Sequence, residues 1–161
     1  GDFEISLELL PFDVELNYML ALKLAEAGNS RVLRLCDSLI RADSSHRHAD
    51  PYYYKGIYFS NIQEPAKAIS LFDEAISHNY NFLEAYIEKG AVYYERKKFQ
   101  EALNVFNLAI TVSPKFADAY YWIAKCQQAL GQKEEAKLNY QRAYSLDNKL
   151  TEAKEASDNL K

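Results

Sequence analysis

The chain has 161 residues, and its 48% hydrophobic content is sufficient for the core of one domain or one short solenoid. A formal net charge of -4 supplies no basic surface for a phosphate backbone or an anionic membrane, so we expect no nucleic-acid partner. The longest apolar stretches, such as Tyr18 to Leu22, are far shorter than the roughly 20 residues that a membrane-spanning helix needs, so we expect no membrane insertion of this segment.

Glycine and proline are scarce while Ala, Leu, Glu, Lys and Gln are abundant, which predicts helices joined by short turns and almost no strand. In chain order we predict an N-terminal extension at 1–13, an irregular helix pair at 14–48, regular helix pairs at 49–82, 83–116 and 117–150, and a capping helix at 151–161. The helices of the regular pairs are predicted at 51–62 and 65–77, 84–96 and 99–112, and 118–130 and 133–146.

The three regular pairs are related by a spacing of 34 residues. Five columns share it, namely Tyr52, Tyr86 and Tyr120; Gly56, Gly90 and Ala124; Ala68, Ala102 and Ala136; Phe72, Phe106 and Tyr140; and Ala75, Ala109 and Ala143. A fixed period of this length is typical of stacked repeats. Gly90 lies inside a predicted helix, where glycine costs about 1 kcal/mol relative to alanine, so we expect the partner helix to approach closely there. We predict that Gly131 ends the helix before it.

These columns resemble the signature of tetratricopeptide repeats, W-x2-L-G-x2-Y followed by A, F, A and P. The clearest match, in 83–116, consists of Tyr86, Gly90, Tyr93, Ala102, Phe106, Ala109 and Pro114. Lys55 and Lys89 occupy the leucine column and Gln127 replaces the second aromatic residue, departures that do not change the expected fold. The resemblance implies an all-α fold, a right-handed superhelix of antiparallel helix pairs (an α-solenoid), whose first helices line a concave groove.

The resemblance places the groove floor at the second, fifth, ninth, twelfth and thirteenth position of each repeat. Large side chains occupy it at Tyr18, Tyr53, Ile57, Ile87, Tyr94 and Tyr121. Acids occupy it at Asp50, Glu84, Glu95 and Asp118, with Lys125 as the base. An acidic, tyrosine-rich groove suits a protein or peptide that carries basic residues between apolar ones. Tyr52, Tyr86 and Tyr120 are interpreted as core residues.

Two ordinary interpretations compete with this one. Acids at the second position lie in the first turn of a helix, where they complement the helix macrodipole whatever binds. The tyrosines could equally be packed by neighbouring side chains or by the terminal extension.

A known subclass of these repeats holds acidic chaperone tails with a two-carboxylate clamp of Lys, Asn and Arg. The matching positions in this sequence are Tyr53, Ile57, Glu88, Asp118 and Trp122, so the resemblance implies no clamp and no ligand of that kind.

Catalytic and metal-binding patterns are absent from the sequence. His46, Arg47 and His48 form an HxH without a nearby Cys or a clear carboxylate partner, which we interpret as a solvated loop. No Ser/His/Asp order, glycine-rich phosphate loop or HExxH motif is present, so we predict no enzyme activity, no cofactor and no metal. Cys36 and Cys126 are interpreted as buried thiols.

The sequence therefore predicts a non-catalytic scaffold that binds a protein or peptide in its groove. The alternative is a structural assembly module that forms homo-oligomers without a groove ligand. Regular, Tyr-rich units resemble bacterial tetratricopeptide lipoproteins, which favours the periplasm or cell envelope over the cytoplasm. Because the chain opens with Gly1 and Asp2 rather than Met, we expect that a preceding segment was removed.

Overall fold

The computed structural model describes residues 14–43 and 48–160, and this part of the chain is helical with no strand. Its helices are α1 (Val14–Glu26), α2 (Arg31–Ala42), α3 (Asp50–Asn61), α4 (Pro65–His78), α5 (Leu83–Glu95), α6 (Phe99–Val112), α7 (Ala117–Ala129), α8 (Lys133–Leu146) and α9 (Thr151–Asn159). The predicted all-α fold is confirmed, and each helix of the regular pairs begins and ends within one residue of its predicted position. The predicted N-terminal extension at 1–13 lies outside the described residues.

The chain separates after Asn79 into two compact units. In the described part of the first unit, α3 packs against α4, α1 and α2. One cluster of its core consists of Ala21, Ala25, Val32, Leu35, Cys36, Leu39, Tyr54 and Tyr58, and Phe72 of α4 is also fully buried. Asn61 joins α3 to the end of α1, because its Nδ2 donates to the carbonyl oxygens of Ala25 at 3.0 Å and Glu26 at 3.2 Å. These carbonyls lie in the last turn of α1, where the helix itself supplies no donor, and the Ala25 carbonyl also accepts from the Gly28 backbone N–H at 2.9 Å.

In the second unit, each helix from α5 to α9 packs against the next, and α5 also contacts α7. Phe106 and Cys126 are fully buried between α5, α6 and α7. Ala136, Ala143 and Ala153 are fully buried where α8 meets α7 and α9. Small side chains at these points let the helix axes approach closely while the aromatic residues fill the remaining space. No helix in the described part of either unit has the length and apolar character needed to cross a membrane.

The turns inside the regular pairs share one backbone feature. Gln63, Lys97 and Gly131 have φ of 62°, 59° and 81°, and they lie 34 residues apart. Each follows the end of the first helix, where a left-handed residue commonly closes the last turn. Gly131 ends α7 as predicted. Gln63 and Lys97 adopt the same conformation with side chains for which it is unfavourable.

Candidate functional site

One face of α5 carries the predicted groove residues of that helix. Glu84, Ile87, Glu88, Tyr94 and Glu95 are spaced by three, four or seven residues, which aligns them along one side. Glu84 and Glu95 are exposed, whereas Ile87, Glu88 and Tyr94 are half-buried. The face therefore combines two solvated carboxylates with a partly buried one.

The corresponding face of α7 carries Asp118, Tyr121, Trp122 and Lys125, again at helical spacing. Because α5 and α7 are in contact, these two rows of side chains form one continuous surface, which we call the α5/α7 face. It is defined by Glu84, Ile87, Glu88, Tyr94, Glu95, Asp118, Tyr121, Trp122 and Lys125.

Three aromatic rings of the α5/α7 face surround the side chain of Lys125. The Lys125 Nζ lies 4.2 Å from the ring centroid of Trp122, 5.1 Å from that of Tyr94 and 5.6 Å from that of Tyr121. An ammonium within about 6 Å of a ring centroid is attracted by the negative face of the π system. The two helices thus place three aromatic rings around one ammonium group.

The rings are held by the core behind them. Trp122 stacks on the fully buried Phe106, with centroids 5.5 Å apart and an interplanar angle of 17°. Tyr121 packs against the buried Tyr140 at 5.7 Å, and Tyr94 meets the edge of Trp122 at 5.5 Å. The partial burial of these residues therefore has a structural cause, and it also fixes their orientation toward the surface.

Two carboxylates of the face, Glu88 and Asp118, have raised pKa values. Burial raises the pKa of Glu88, and the charge of Glu95 raises it further. The pKa of Asp118 is raised by desolvation first and then by Asp147 and Glu84. A raised carboxyl pKa means that the negative charge is unfavourable where it stands, so a nearby cation would be stabilised.

In the first unit, the predicted residues lie on α1 and α3. Tyr18 packs edge-on against the buried Tyr54 at 6.2 Å, and Tyr53 lies 5.9 Å from the ring of Phe72. Burial raises the pKa of Tyr18 to about 12, with further contributions from Asp50 and Asp43. Burial raises the pKa of Tyr54, and the charge of Asp50 raises it further. Ile57 is half-buried against the core of this unit.

Two residues of the α5/α7 face are missing from the predicted groove residues. In the sequence, Glu88 and Trp122 are noted only because they occupy positions at which a subclass of the family has the residues of its carboxylate clamp. The signal that identifies them is helical spacing, since Glu88 follows Glu84 by four residues and Trp122 follows Asp118 by four.

Some interpretations of individual residues require correction. Tyr86 and Tyr120 are buried as expected, but Tyr52 is half-buried and stacks on His78 at 4.7 Å. The His48 imidazole does have a carboxylate neighbour, because its Nε2 lies 3.8 Å from Asp43 Oδ1.

The other members of the HxH, His46 and Arg47, lie outside the described residues. Among the residues that are described, no group of three or more His, Cys, Asp or Glu side chains is arranged to hold a metal ion. Cys36 and Cys126 are buried free thiols, as predicted. The pKa of each is raised to about 12, mainly by burial.

Models of known families match the second unit directly. A TPR repeat model matches residues 90–131, and a tetratricopeptide repeat model matches residues 117–156. Together with the 34-residue columns and the all-α structure, these matches decide the family. The chain is a tetratricopeptide repeat protein.

Relatives of this tetratricopeptide array include the heat shock protein STI1 of Saccharomyces cerevisiae. The two are 33% identical over 114 residues, which cover 70% of this chain and 19% of STI1. The chain therefore spans less than a fifth of the length of that relative.

Solved structures share the fold at lower identity. MamA from Desulfovibrio magneticus RS-1 is 24% identical with a TM-score of 0.69, covering 88% of this chain and 80% of that one. The first TPR domain of Spaghetti (RPAP3), bound to the HSP90 peptide SRMEEVD, is 23% identical with a TM-score of 0.66 and covers 70% of this chain and 92% of that one. At these identities the similarity establishes the fold alone.

Proposed function

We propose that this tetratricopeptide array is a non-catalytic scaffold that binds a protein or peptide through the α5/α7 face. The observation that carries the proposal is the composition of that face. Four carboxylates and three half-buried aromatic rings lie on two helices in contact, with Lys125 as the base. Rigid aromatic side chains lose little rotamer entropy on binding, and the surrounding charges select the partner.

The charges favour a basic segment with apolar residues. Glu88 and Asp118 have raised pKa values because burial and neighbouring acids disfavour their charged forms. A lysine or arginine of a bound peptide would offset both effects. Ile87 and the rings provide apolar contact between the charged positions.

An acidic ligand of the RPAP3 type does not fit this face. The peptide in that structure, SRMEEVD, carries three acidic residues near its end. Glu88 and Asp118 occupy positions that the family resemblance assigns to a carboxylate clamp, and like charges would repel the peptide there. This array is therefore proposed to share the binding mode of its relatives but not that ligand chemistry.

The first unit contributes a second proposed contact surface, formed by Tyr18, Asp50, Tyr53 and Ile57. Its chemistry is similar, since a carboxylate lies among half-buried tyrosines and an isoleucine. Tyr18 and Tyr53 rest on core aromatics, so their orientation is fixed before a ligand arrives.

Selection from a random-peptide display library tests the proposal and requires no identified partner. Enriched peptides should carry Lys or Arg between apolar residues. The double variant Glu84→Gln/Asp118→Asn should bind them about tenfold more weakly than the parent, with a smaller salt dependence.

The matched control is Glu134→Gln/Glu135→Gln, which removes the same charge from exposed positions in the first turn of α8. It should bind like the parent. A second pair compares Tyr121→Ala with Tyr80→Ala. Tyr80 is 68% exposed and lies outside the α5/α7 face. Enrichment of acidic peptides, or equal losses in both members of a pair, would show that the α5/α7 face is not the binding surface.

The assembly alternative, the absence of a nucleic-acid partner and a location in the bacterial envelope stay predictions. Self-association without any enriched peptide would favour the assembly alternative.

A further inference from the structure

The arrangement around Lys125 is more specific than a general acidic surface. Tyr94 projects from α5, whereas Tyr121 and Trp122 project from α7, and the three ring centroids lie between 4.2 and 5.6 Å from one ammonium nitrogen. A single cation–π pair is common in proteins, but several rings around one ammonium form the kind of cage that recognises alkylammonium ligands.

We propose that Tyr94, Tyr121 and Trp122 form a cage for an alkylammonium group, that Lys125 fills it in the free protein, and that a lysine side chain of the bound peptide takes its place. This inference rests on the proposed peptide-binding function and names the chemistry of its central subsite.

The cage walls do not depend on Lys125 for their positions. Trp122 lies flat against Phe106, which is fully buried, and Tyr121 packs on the buried Tyr140. Tyr94 is braced by the edges of Trp122 at 5.5 Å and Phe99 at 5.2 Å. Contacts of this kind hold aromatic pairs in a defined geometry, so the site persists when the ammonium leaves.

Lys125 is suited to leave. Its side chain is half-buried, and within the described residues no carboxylate forms an ion pair with it, although four lie on the same face. Its ammonium is held by the rings, and its flexible stem can carry it back into water. An ammonium engaged by a buried carboxylate would be far harder to displace.

A lysine fits the cage because the cage already holds one. The four carboxylates of the α5/α7 face, Glu84, Glu88, Glu95 and Asp118, favour a second cation on a face that carries only Lys125 as a base. Binding thus becomes an exchange of one ammonium for another. Exchange predicts that removal of Lys125 strengthens binding rather than weakening it.

Trp122 makes this exchange observable, since it is the only tryptophan of the chain. The first probe is tetramethylammonium chloride, titrated at constant ionic strength against sodium chloride while Trp122 fluorescence is recorded. The variant Lys125→Ala should bind the probe at least about fivefold more tightly than the parent, whereas Lys125→Arg, which retains a cation, should show no gain.

The cage variants Tyr94→Leu and Tyr121→Leu keep an apolar side chain but remove a π face, so in the Lys125→Ala background they should lower probe affinity. The matched control is Tyr144→Leu, which removes a ring that lies 5.8 Å from the Lys154 ammonium elsewhere in the same unit. It should leave the fluorescence response unchanged. Circular dichroism equal to that of the parent qualifies each variant for comparison.

The second probe is a basic peptide enriched by display, prepared with lysine, trimethyllysine or norleucine at its central basic position. Lysine and trimethyllysine should each bind better than the neutral norleucine, and trimethyllysine should perturb Trp122 most. Equal binding of all three, or a Lys125→Ala variant with no gain for either probe, overturns the cage. If peptide binding still depends on Glu84 and Asp118 in that case, the proposed function stands; if no peptide binds at all, the proposed function falls as well.

Discussion

Gly90 lies directly against the ring of Phe106, so that a Cβ atom at Gly90 would stand 2.3 Å from Cε1 and 2.4 Å from Cζ of that ring. Gly56 and Phe72 repeat the relationship one period earlier, where the corresponding distance to Cε1 is 2.5 Å. Both rings are fully buried and cannot turn away. In the third regular repeat, Ala124 stands at the glycine position and Tyr140 at the phenylalanine position.

The variant Gly90→Ala is expected to destabilise the protein by about 1–2 kcal/mol, because overpacking costs more than the gain in helix propensity returns. Urea denaturation measures the change. The double variant Gly90→Ala/Phe106→Leu should lose less than the two single losses added together, since the smaller side chain relieves the clash. Equal or greater stability of Gly90→Ala would mean that helix propensity dominates and that the close contact is not real.

The turn residues provide a prediction of opposite sign. Lys97 has a φ of 59°, and glycine at this position should stabilise the protein by about 0.5–1 kcal/mol because it removes the unfavourable left-handed conformation of a side-chain-bearing residue. Gly131→Ala should be destabilising for the same reason. The neighbouring Arg96, with a φ of -85°, is the control, and Arg96→Gly should not stabilise. Thermal unfolding compares the three; a loss of stability in Lys97→Gly would contradict the argument.

The repeat period accounts for most of what the sequence could predict. Helix positions follow from local patterns that recur every 34 residues, and Gly90 signalled a close contact because glycine is costly inside a helix. The left-handed turns at Gln63 and Lys97 carry no such signal, since neither residue type favours that conformation. Only their spacing from Gly131 would have identified them.

The sequence predicts the candidate site less completely, because the groove positions of the family do not include every residue on the same helix faces. Trp122 and Glu88 lie on the same faces as predicted residues and became evident from the contacts of Lys125 and Glu95. The half-burial of Tyr53 depends on Phe72 in the next helix. Such tertiary contacts are not contained in the spacing of one helix.

A tyrosine hydroxyl has the same role in two successive repeats. The Tyr86 hydroxyl donates to the carbonyl oxygen of Tyr80 at 3.1 Å, and the Tyr120 hydroxyl donates to that of Pro114 at 3.0 Å. Both bonds span six residues and tie the first helix of a repeat to the segment before it. They give the hydroxyl of each of these buried tyrosines a hydrogen-bond partner.

The variant Tyr120→Phe is expected to lose about 1 kcal/mol of unfolding free energy, because it leaves the Pro114 carbonyl without this donor while the ring packing is kept. Tyr93→Phe is a control for loss of a hydroxyl from a half-buried tyrosine in the same unit. Chemical denaturation of both variants measures the difference. If Tyr120→Phe is as stable as the parent, water replaces the hydroxyl and the bond contributes little.

Glu88 predicts a dependence of stability on pH. Its pKa in the folded protein is raised by burial and then by Glu95, so the folded state binds the proton more tightly than the unfolded state does. The contribution of Glu88 to stability is therefore fully present below the unfolded pKa of glutamate and is lost as pH rises through the folded value. Above the folded pKa, the ionised Glu88 weakens the fold.

The variant Glu88→Gln should accordingly be more stable than the parent at neutral pH, and the difference should vanish in acid, where Glu88 of the parent is itself protonated. Melting temperatures measured from neutral to acidic pH give the comparison. Glu155→Gln removes the same charge from an exposed position on α9 and should show no such pH-dependent gain. Glu95→Gln should raise the stability less than Glu88→Gln does, because Glu95 is exposed and acts on Glu88 only through its charge. A Glu88→Gln variant that is less stable at neutral pH would mean that a cation already stabilises Glu88 in the free protein. Glu88 would then not favour the binding of a cation from a partner.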